Sequence, residues 1–293
     1  MYDKIAKCDP NRPVLISGPT ASGKSGLAVA LAEEQGREVV NADALQVFDG
    51  WRILTARPND GDLQRAHHKL YGHVHWSASY SVGDWLREVQ PLLSRRPAPV
   101  IVGGTGLYFQ ALLRGLAEIP QTDPDIRRLA SERLAELGLG AMVAELDPGT
   151  RGSIDIQNSM RVQRAWEVLT QTGRGLVEWQ SETPPPLLNR DRVDAFVVVW
   201  PTEVLNARID TRFDQMIAQG AMREAMAMEP TWSQDFQSSR AIGAQQLIDT
   251  VRNIIPLNDA IVSAKQTSRQ YAKRQRTWMR NKMQDWQALV TDR

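Results

Sequence analysis

Val14-Leu-Ile-Ser-Gly-Pro-Thr-Ala-Ser-Gly-Lys-Ser25 decides how this chain is read. Its first four residues form a short apolar run, the pattern of a strand buried on both faces. The next eight, Gly18, Pro19, Thr20, Ala21, Ser22, Gly23, Lys24 and Ser25, keep the P-loop spacing GxxxxGK[ST]. Apolar residues then recur at helical spacing over 24–35, at Leu27, Ala30 and Leu31. Strand, glycine-rich turn and helix together make a phosphate cradle. The glycines let backbone N–H groups turn toward one anion, and the helix N-terminus already favours negative charge. Lys24 adds a point charge, and the Ser25 hydroxyl is a natural Mg²⁺ ligand. The loop predicts a bound di- or triphosphate. It does not say whether that phosphate is transferred, hydrolysed or expelled.

Moving outward, Glu38-Val-Val-Asn-Ala-Asp43 and Pro99-Val-Ile-Val-Gly103 read as a second and third strand. From residue 121 the character changes: 123–147 and 158–172 look helical, with Arg-rich faces and no strand candidate. Thr183-Pro-Pro-Pro186 reads as a linker, and Val193-Asp-Ala-Phe-Val-Val-Val-Trp200 as a buried strand. Beyond Thr202 the chain looks helical, ending in a long helix over 257–287. The expected fold is α/β: a P-loop core with a parallel, doubly wound sheet flanked by helices, plus an inserted all-helical domain. The core is assigned to 1–120 and 189–293, and the insertion to 121–188.

The 293 residues, 42% hydrophobic and 24% charged, exclude a disordered or low-complexity chain. A single cysteine, Cys8, excludes an intrachain disulfide and any multi-cysteine zinc site. No apolar run approaches the ~20 residues that span a bilayer, so no membrane partner is expected. The polar start is unlike a secretory signal and predicts a cytoplasmic protein. Cys8 is expected in a disordered start. Net charge is only +1, yet Lys265, Arg269, Lys273, Arg274, Arg276, Arg280 and Lys282 follow one another with no acidic residue between, and Tyr271 and Trp278 interleave. That stretch suits phosphate contact with base stacking, or else a solvated helix face. The histidines His67, His68, His73 and His75 read as a polar loop rather than a metal site. Met222, Met226 and Met228 read as adaptable packing, and most of the tryptophans as core or rim.

Asp43 follows the second strand, where side chains of an open α/β sheet converge on the phosphate site. A carboxylate there suits a Mg²⁺ ligand, a general base or a helix cap. Gly103-Gly-Thr105-Gly-Leu-Tyr108 repeats the strand–turn–helix design and offers the Thr105 hydroxyl to the same cleft.

Further blocks occur in order: Asn41-Ala-Asp43-Ala-Leu-Gln46-Val-Phe, Thr55-Ala-Arg-Pro58, Tyr80-Ser-Val-Gly-Asp84, Asn158-Ser-Met-Arg161-Val-Gln-Arg164-Ala, Arg240-Ala-Ile-Gly243 and Ala272-Lys-Arg-Gln-Arg-Thr-Trp-Met-Arg280. With the P-loop and the Thr105 block, they resemble the tRNA dimethylallyltransferase (tRNA isopentenyltransferase) family from about residue 14 to 287. The resemblance implies transfer of a dimethylallyl group from dimethylallyl diphosphate to N6 of the adenosine 3′-adjacent to the anticodon. It also implies tRNAs reading codons that begin with U, a monomer, and Mg²⁺ at Ser25. By the same resemblance, Gly18 to Ser25 and Arg212 (in Arg208-Ile-Asp-Thr-Arg212) hold the diphosphate. Asp43 accepts the N6 proton, with Thr105, Lys24 and Arg212 completing the catalytic set. The tRNA anticodon stem-loop is expected to meet Asp43, Ala44, Leu45, Gln46 and Thr105; Arg127 and Met160, Arg161, Val162, Gln163 and Arg164; Arg240, Ala241, Ile242, Gly243, Ala244 and Gln245; and Lys273, Arg274, Arg276 and Arg280. Gln46 is a candidate partner for the adenine edge.

The chain departs from the family pattern in places. Ala44 and Phe48 replace a serine and a tyrosine, Arg52-Ile-Leu-Thr-Ala-Arg57 stands for Asp-Ile-Gly-Thr-Ala-Lys, and Ala244 stands where an aromatic is common. Two alternatives share the loop: a small-molecule or nucleotide kinase, and a nucleotide-gated RNA-binding module without catalysis. Neither accounts for Asp43 to Gln46 together with a basic, aromatic C-terminal stretch.

Overall fold

A computed structural model describes residues 2–291. Four β-branched runs become central strands because nearly all their side chains are buried, β1, β2 and β4 along their whole length and β5 in its middle. They are β1 (Val14–Ser17), β2 (Val39–Asn41), β4 (Val100–Gly103) and β5 (Asp194–Val199). Two short strands extend the sheet, β3 (His68–Lys69) and β6 (Gln287–Val290), giving the order β3-β2-β4-β1-β5-β6. All five pairings are parallel. The carboxyl ends of β1, β2 and β4 therefore lie side by side, which collects the P-loop, Asp43 and Thr105 at one edge.

Two compact units partition the chain. The first, residues up to Leu113 and from Leu188 onward, carries the sheet. Its helices are α1 (Tyr2–Ile5), α2 (Lys24–Gln35), α3 (Asp60–Arg65), α4 (Val82–Val89) and α5 (Gly106–Arg114). The second, Arg114–Leu187, is helical: α6 (Pro124–Glu145), α7 (Pro148–Ser153), α8 (Ser159–Thr172) and α9 (Leu176–Ser181). The sheet unit closes with α10 (Thr202–Gln219), α11 (Ala221–Met228), α12 (Ala244–Val251) and α13 (Leu257–Lys282).

The helical unit begins at Arg114 rather than 121, since Gly115 lies against the Pro184 carbonyl of the same unit, where a Cβ would fall 2.2 Å from that oxygen. Gln171 donates to the Gln121 carbonyl at 2.9 Å, and Asp123 N–H donates to Gln171 at 3.0 Å. Its core is Ala130, Met142, Leu146, Val162, Ala165 and Trp166. Gly138, at φ 78°, breaks the expected continuous helix over 123–147 into two pieces.

In the sheet unit, α13 is ~39 Å long at 1.5 Å per residue. It buries Ala260, Ala264, Ser268 and Ala272, a four-residue repeat of small side chains. That stripe admits α10, whose Leu205, Ile209, Phe213 and Met216 form its own apolar face. The long helix stops at Lys282 rather than 287. The chain then turns so that Trp286 packs edge-on against Phe109, 5.2 Å between ring centres, and β6 pairs with β5. Ser81 and Asp84 cap α4 reciprocally, which explains the Tyr80–Asp84 block.

The start of the chain is ordered, contrary to expectation. Ile5 is fully buried, and the Arg37 guanidinium donates to the Asp9, Arg12 and Ala98 carbonyls at 2.7, 2.8 and 3.1 Å. A buried cation spends its donors this way to offset lost hydration. Cys8 packs half-buried against the core, and burial pushes its thiol up to about 11.

Gly103 ends β4 against the turn after β2. A Cβ there would lie 2.0 Å from the Ala42 carbonyl oxygen, a backbone atom that cannot step aside. Gly103→Ala should cost about 3 kcal/mol or more, the upper end for overpacking. A thermal melt should read that as a loss of roughly 6–12 °C.

Candidate active site

The loop between β1 and α2 is braced through its carbonyls. Arg208 Nε donates to Ala21 O at 3.0 Å, and Trp200 Nε1 donates to Ser22 O at 2.8 Å. The Arg208 guanidinium lies 4.4 Å above the Trp200 ring, so the two braces support one another. Gly23 sits at φ 84°, left-handed backbone that a side chain would strain. The first-turn amides of α2 have no intrahelical acceptor and are available to an anion.

Lys24 donates to Pro19 O at 3.3 Å, and Arg212 donates to the Thr20 hydroxyl. Burial pulls the Lys24 ammonium down to about 8, opposed by Asp43 and reinforced by Arg212. Burial likewise lowers Arg212 to about 10, opposed by Asp43 and reinforced by Arg208. Among the described residues, Asp43 is the one carboxylate that opposes both shifts. A cleft of about 1160 Å³ opens over these cations, lined by Ala21 to Ser25, Arg52, Arg57, Arg208, Arg212 and Glu224 among others.

Across from the loop, Asn41 shapes the turn that presents Asp43. Its side chain accepts from Asp43 N–H at 2.8 Å and donates to the Asp43 and Leu70 carbonyls, both at 2.9 Å. Asp43 Oδ1 accepts from Leu45 N–H at 3.1 Å, and the Thr105 hydroxyl accepts from Ala44 N–H at 2.9 Å. Asp43 caps no regular helix. Its negative charge adds to burial in keeping the Tyr71, Tyr108 and Tyr271 phenols protonated.

A cavity of about 60 Å³ joins the two halves. Thr20, Asp43 and Arg212 meet there with Leu45, Leu54, Thr55, Ile209, Phe213, Met216, Ile242, Ser268 and Tyr271. At ~10–15 Å³ per water-sized guest, it has room for about five non-hydrogen atoms. Glu224 fixes the turn carrying Leu54 by accepting from Ile53 and Leu54 N–H at 2.9 and 3.0 Å.

The residues expected on tRNA separate into groups. Met160, Arg161, Arg127, Arg240, Lys273, Arg274 and Arg280 are exposed. Val162, Ala241 and Ala244 are not: each is at most 4% exposed and packs into a core, because its position falls on the inner face of its segment. Ile242 lines the small cavity. Gln163 donates to Ser131 and Glu167, and Arg164 binds Thr122 beside the buried Glu167 carboxylate. Gln245 donates to Asp249 at 2.8 Å. Gln46 spends both amide hydrogens on the Thr55 and Ala56 carbonyls, at 2.7 and 3.1 Å, leaving only its oxygen for an adenine edge. Arg276 donates to the Thr202 hydroxyl, and Lys265 and Arg269 pair with Asp214 and Asp210 of α10. The basic run is thus partly neutralised from a neighbouring helix. Trp278 is half-buried against Gly106. His73 bonds Glu88 at 2.7 Å and His75 bonds Ser77 at 2.8 Å, so these side chains serve their own loop.

Sequence reasoning missed Arg208, Trp200 and Glu224. Only Arg208 left a local trace, four residues before Arg212 on one helix face.

The IPP transferase family model matches residues 46–282, and the isopentenyl transferase model matches 12–71. The chain belongs to the IPP transferase family. A tRNA dimethylallyltransferase of Cereibacter sphaeroides is 56% identical over 280 residues, 96% of this chain and 89% of that one. The tRNA isopentenylpyrophosphate transferase of Bacillus halodurans superposes with TM-score 0.66 at 31% identity, covering 96% and 90% of the two chains. A eukaryotic dimethylallyltransferase acting on tRNA superposes with TM-score 0.78 at 26% identity, covering 96% and 74%.

Against the family pattern, the departures have physical settings. Phe48 is 2% exposed and bridges Val74, a core position where the ring rather than a hydroxyl does the packing. Arg52 lines the cleft and pairs with Asp60. Leu54 adds an isobutyl group to the cavity wall. Among the described residues, no helix is long and apolar enough to cross a membrane.

The Lys24 shift generates a pH prediction. Its folded value of about 8 is below its ordinary one, so stability rises as pH climbs through that window. A bound diphosphate favours the ammonium, so binding at about pH 8.5 must take up a proton. Calorimetry with dimethylallyl diphosphate, whose last ionisation is complete well below that pH (phosphate monoesters ionise near ~6), should give buffer-dependent heats. Lys24→Arg should abolish that dependence.

Proposed function

We propose that this chain transfers a dimethylallyl group from dimethylallyl diphosphate to N6 of the adenosine next to the anticodon, on its 3′ side, in tRNAs reading codons that begin with U. The observation that carries this reading is the small cavity. Its walls are mixed: Leu45, Leu54, Ile209, Phe213, Met216 and Ile242 supply an apolar part, and Asp43, Thr55, Ser268 and Tyr271 a polar part, with Thr20 and Arg212 of the phosphate site beside them. A five-carbon unit seated there would have its diphosphate on the P-loop and its reactive carbon facing the carboxylate.

The chemistry then balances. The N6–carbon bond forms as the carbon–oxygen bond breaks, the electron pair leaves with diphosphate, and the N6 proton passes to Asp43. An adenine amine is a poor nucleophile because its lone pair is delocalised into the ring, so a positioned base contributes ~10²–10⁴-fold. Lys24, Arg212 and the loop amides stabilise charge that grows on the leaving group. The apolar part of that lining limits water that would otherwise hydrolyse the allylic carbon.

The donor set fits Mg²⁺. Ser25 is exposed at the start of α2 and lines the cleft, offering a hard oxygen beside the place for diphosphate oxygens. When bound, the ion would neutralise diphosphate charge and favour its departure.

The adenine must leave its stack to reach Asp43, at a cost that is smaller in a loop than in a duplex. The exposed Arg127 and Arg161 of the helical unit, and Lys273, Arg274 and Arg280 of α13, supply phosphate contacts. A monomer acting on tRNA in the cytoplasm completes the reading.

Incubation with unmodified tRNA, Mg²⁺ and labelled dimethylallyl diphosphate should place label in tRNA, whereas γ-labelled ATP should transfer none. Asp43→Ala should lower kcat by roughly 10²–10⁴-fold with tRNA affinity changed far less. Equal losses in both would argue for a structural carboxylate. Leu54→Ala removes three carbons from the cavity wall and should admit an allylic diphosphate longer by up to about three carbons, read by mass analysis of the tRNA product.

A further inference from the structure

Gln275 sits on α13 between two arginines, 6% exposed and turned inward. Its Oε1 accepts from Thr20 N–H in the P-loop at 2.9 Å, and its Nε2 donates to Gly104 O after β4 at 3.0 Å. The backbone polarity fixes which end is which: an N–H must meet the oxygen, and a carbonyl must meet the amide nitrogen. A Cβ on Gly104 would lie 2.4 Å from Gln275 Nε2 and 3.4 Å from Asp43 Oδ2, so the amide and the carboxylate crowd the same glycine.

Each end of this bridge leads to one half of the reaction. Thr20 carries the hydroxyl that receives the Arg212 guanidinium, and it lines the small cavity. Gly104 precedes Thr105, whose hydroxyl holds Ala44 N–H beside Asp43. We propose that Gln275 is a positioning residue, a single side-chain amide that sets the separation between the leaving-group cradle and the base. The proposal rests on the prenyl-transfer reading above. It requires both hydrogen bonds at once, because Oε1 alone would hold the P-loop while the Thr105 turn drifted.

An amide can be replaced by a group whose polarity depends on pH. In Gln275→Glu, the ionised carboxylate still accepts from Thr20 N–H but sets an oxygen against Gly104 O. Once protonated, its O–H donates to Gly104 and its carbonyl accepts from Thr20, restoring the pattern. Asp43 crowds the same glycine, and the titratable groups coupled to Asp43 are Lys24, Arg212, Tyr71, Tyr108 and, one turn earlier on α13, Tyr271. These are common to wild type and variants, so kcat is expressed relative to wild type at each pH.

The full-length protein is assayed with tRNA, Mg²⁺ and labelled dimethylallyl diphosphate. Gln275→Ala should lower kcat on the order of 10²-fold, the scale of an ångström misplacement, with both KM values moving far less. Its ratio to wild type should be flat in pH. The Gln275→Glu ratio should be as low at about pH 8 and climb as pH falls through the range where a carboxyl protonates. A Gln275→Ala kcat within about twofold of wild type, or a Gln275→Glu ratio independent of pH, overturns the positioning role. Wild-type protein that moves no label to tRNA overturns the underlying reading instead.

Discussion

Crowding of positive charge at the turn between β1 and α2 governs how this molecule is built. Lys24, Arg208 and Arg212 converge on one loop, and burial lowers the first and last from their ordinary values. Asp43 opposes both shifts but supplies a single negative charge. Such a cluster is tolerable only where the surrounding polar groups are fixed in advance, since a mobile shell would collapse onto the cations or splay from them. Trp200, Arg208, Gln275 and the Thr20 hydroxyl provide that fixation, each through one or two hydrogen bonds.

The parallel sheet is what lets so few residues do this. Because β1, β2 and β4 run the same way, their carboxyl ends deliver the loop, Asp43 and Thr105 to one place without long excursions. Helices α10 and α13 then lay Arg208, Arg212, Tyr271 and Gln275 across that edge. Their small and apolar inner faces allow the close approach. Ile209, Phe213 and Met216 of the α10 face also line the small cavity, with Ser268 and Tyr271 of α13, so the packing that stabilises the helices also shapes that cavity.

Legibility in the sequence follows the range of the interactions. The P-loop was legible because its spacing, its strand and its helix are contiguous, and each residue acts on its neighbours. The four central strands were legible as β-branched runs. Edge strands β3 and β6 were not, since two to four residues with mixed burial acquire their meaning only from a distant partner. The basic run on α13 read as one uniform face. Its Lys265 and Arg269 are matched to aspartates some fifty to sixty residues earlier, which no local pattern announces.

Composition and spacing alone determined that a phosphate cradle opens an α/β core and that a carboxylate and a threonine stand at neighbouring strand ends. Those features are written within a few residues of one another, where backbone geometry leaves little choice. Tertiary structure alone decided that Gln275 bridges two loops, that Glu224 holds the turn carrying Leu54, and that Val162, Ala241 and Ala244 face inward. Each depends on which helix lies over which strand end. That is settled by the summed burial of whole faces, a quantity carried by no single residue.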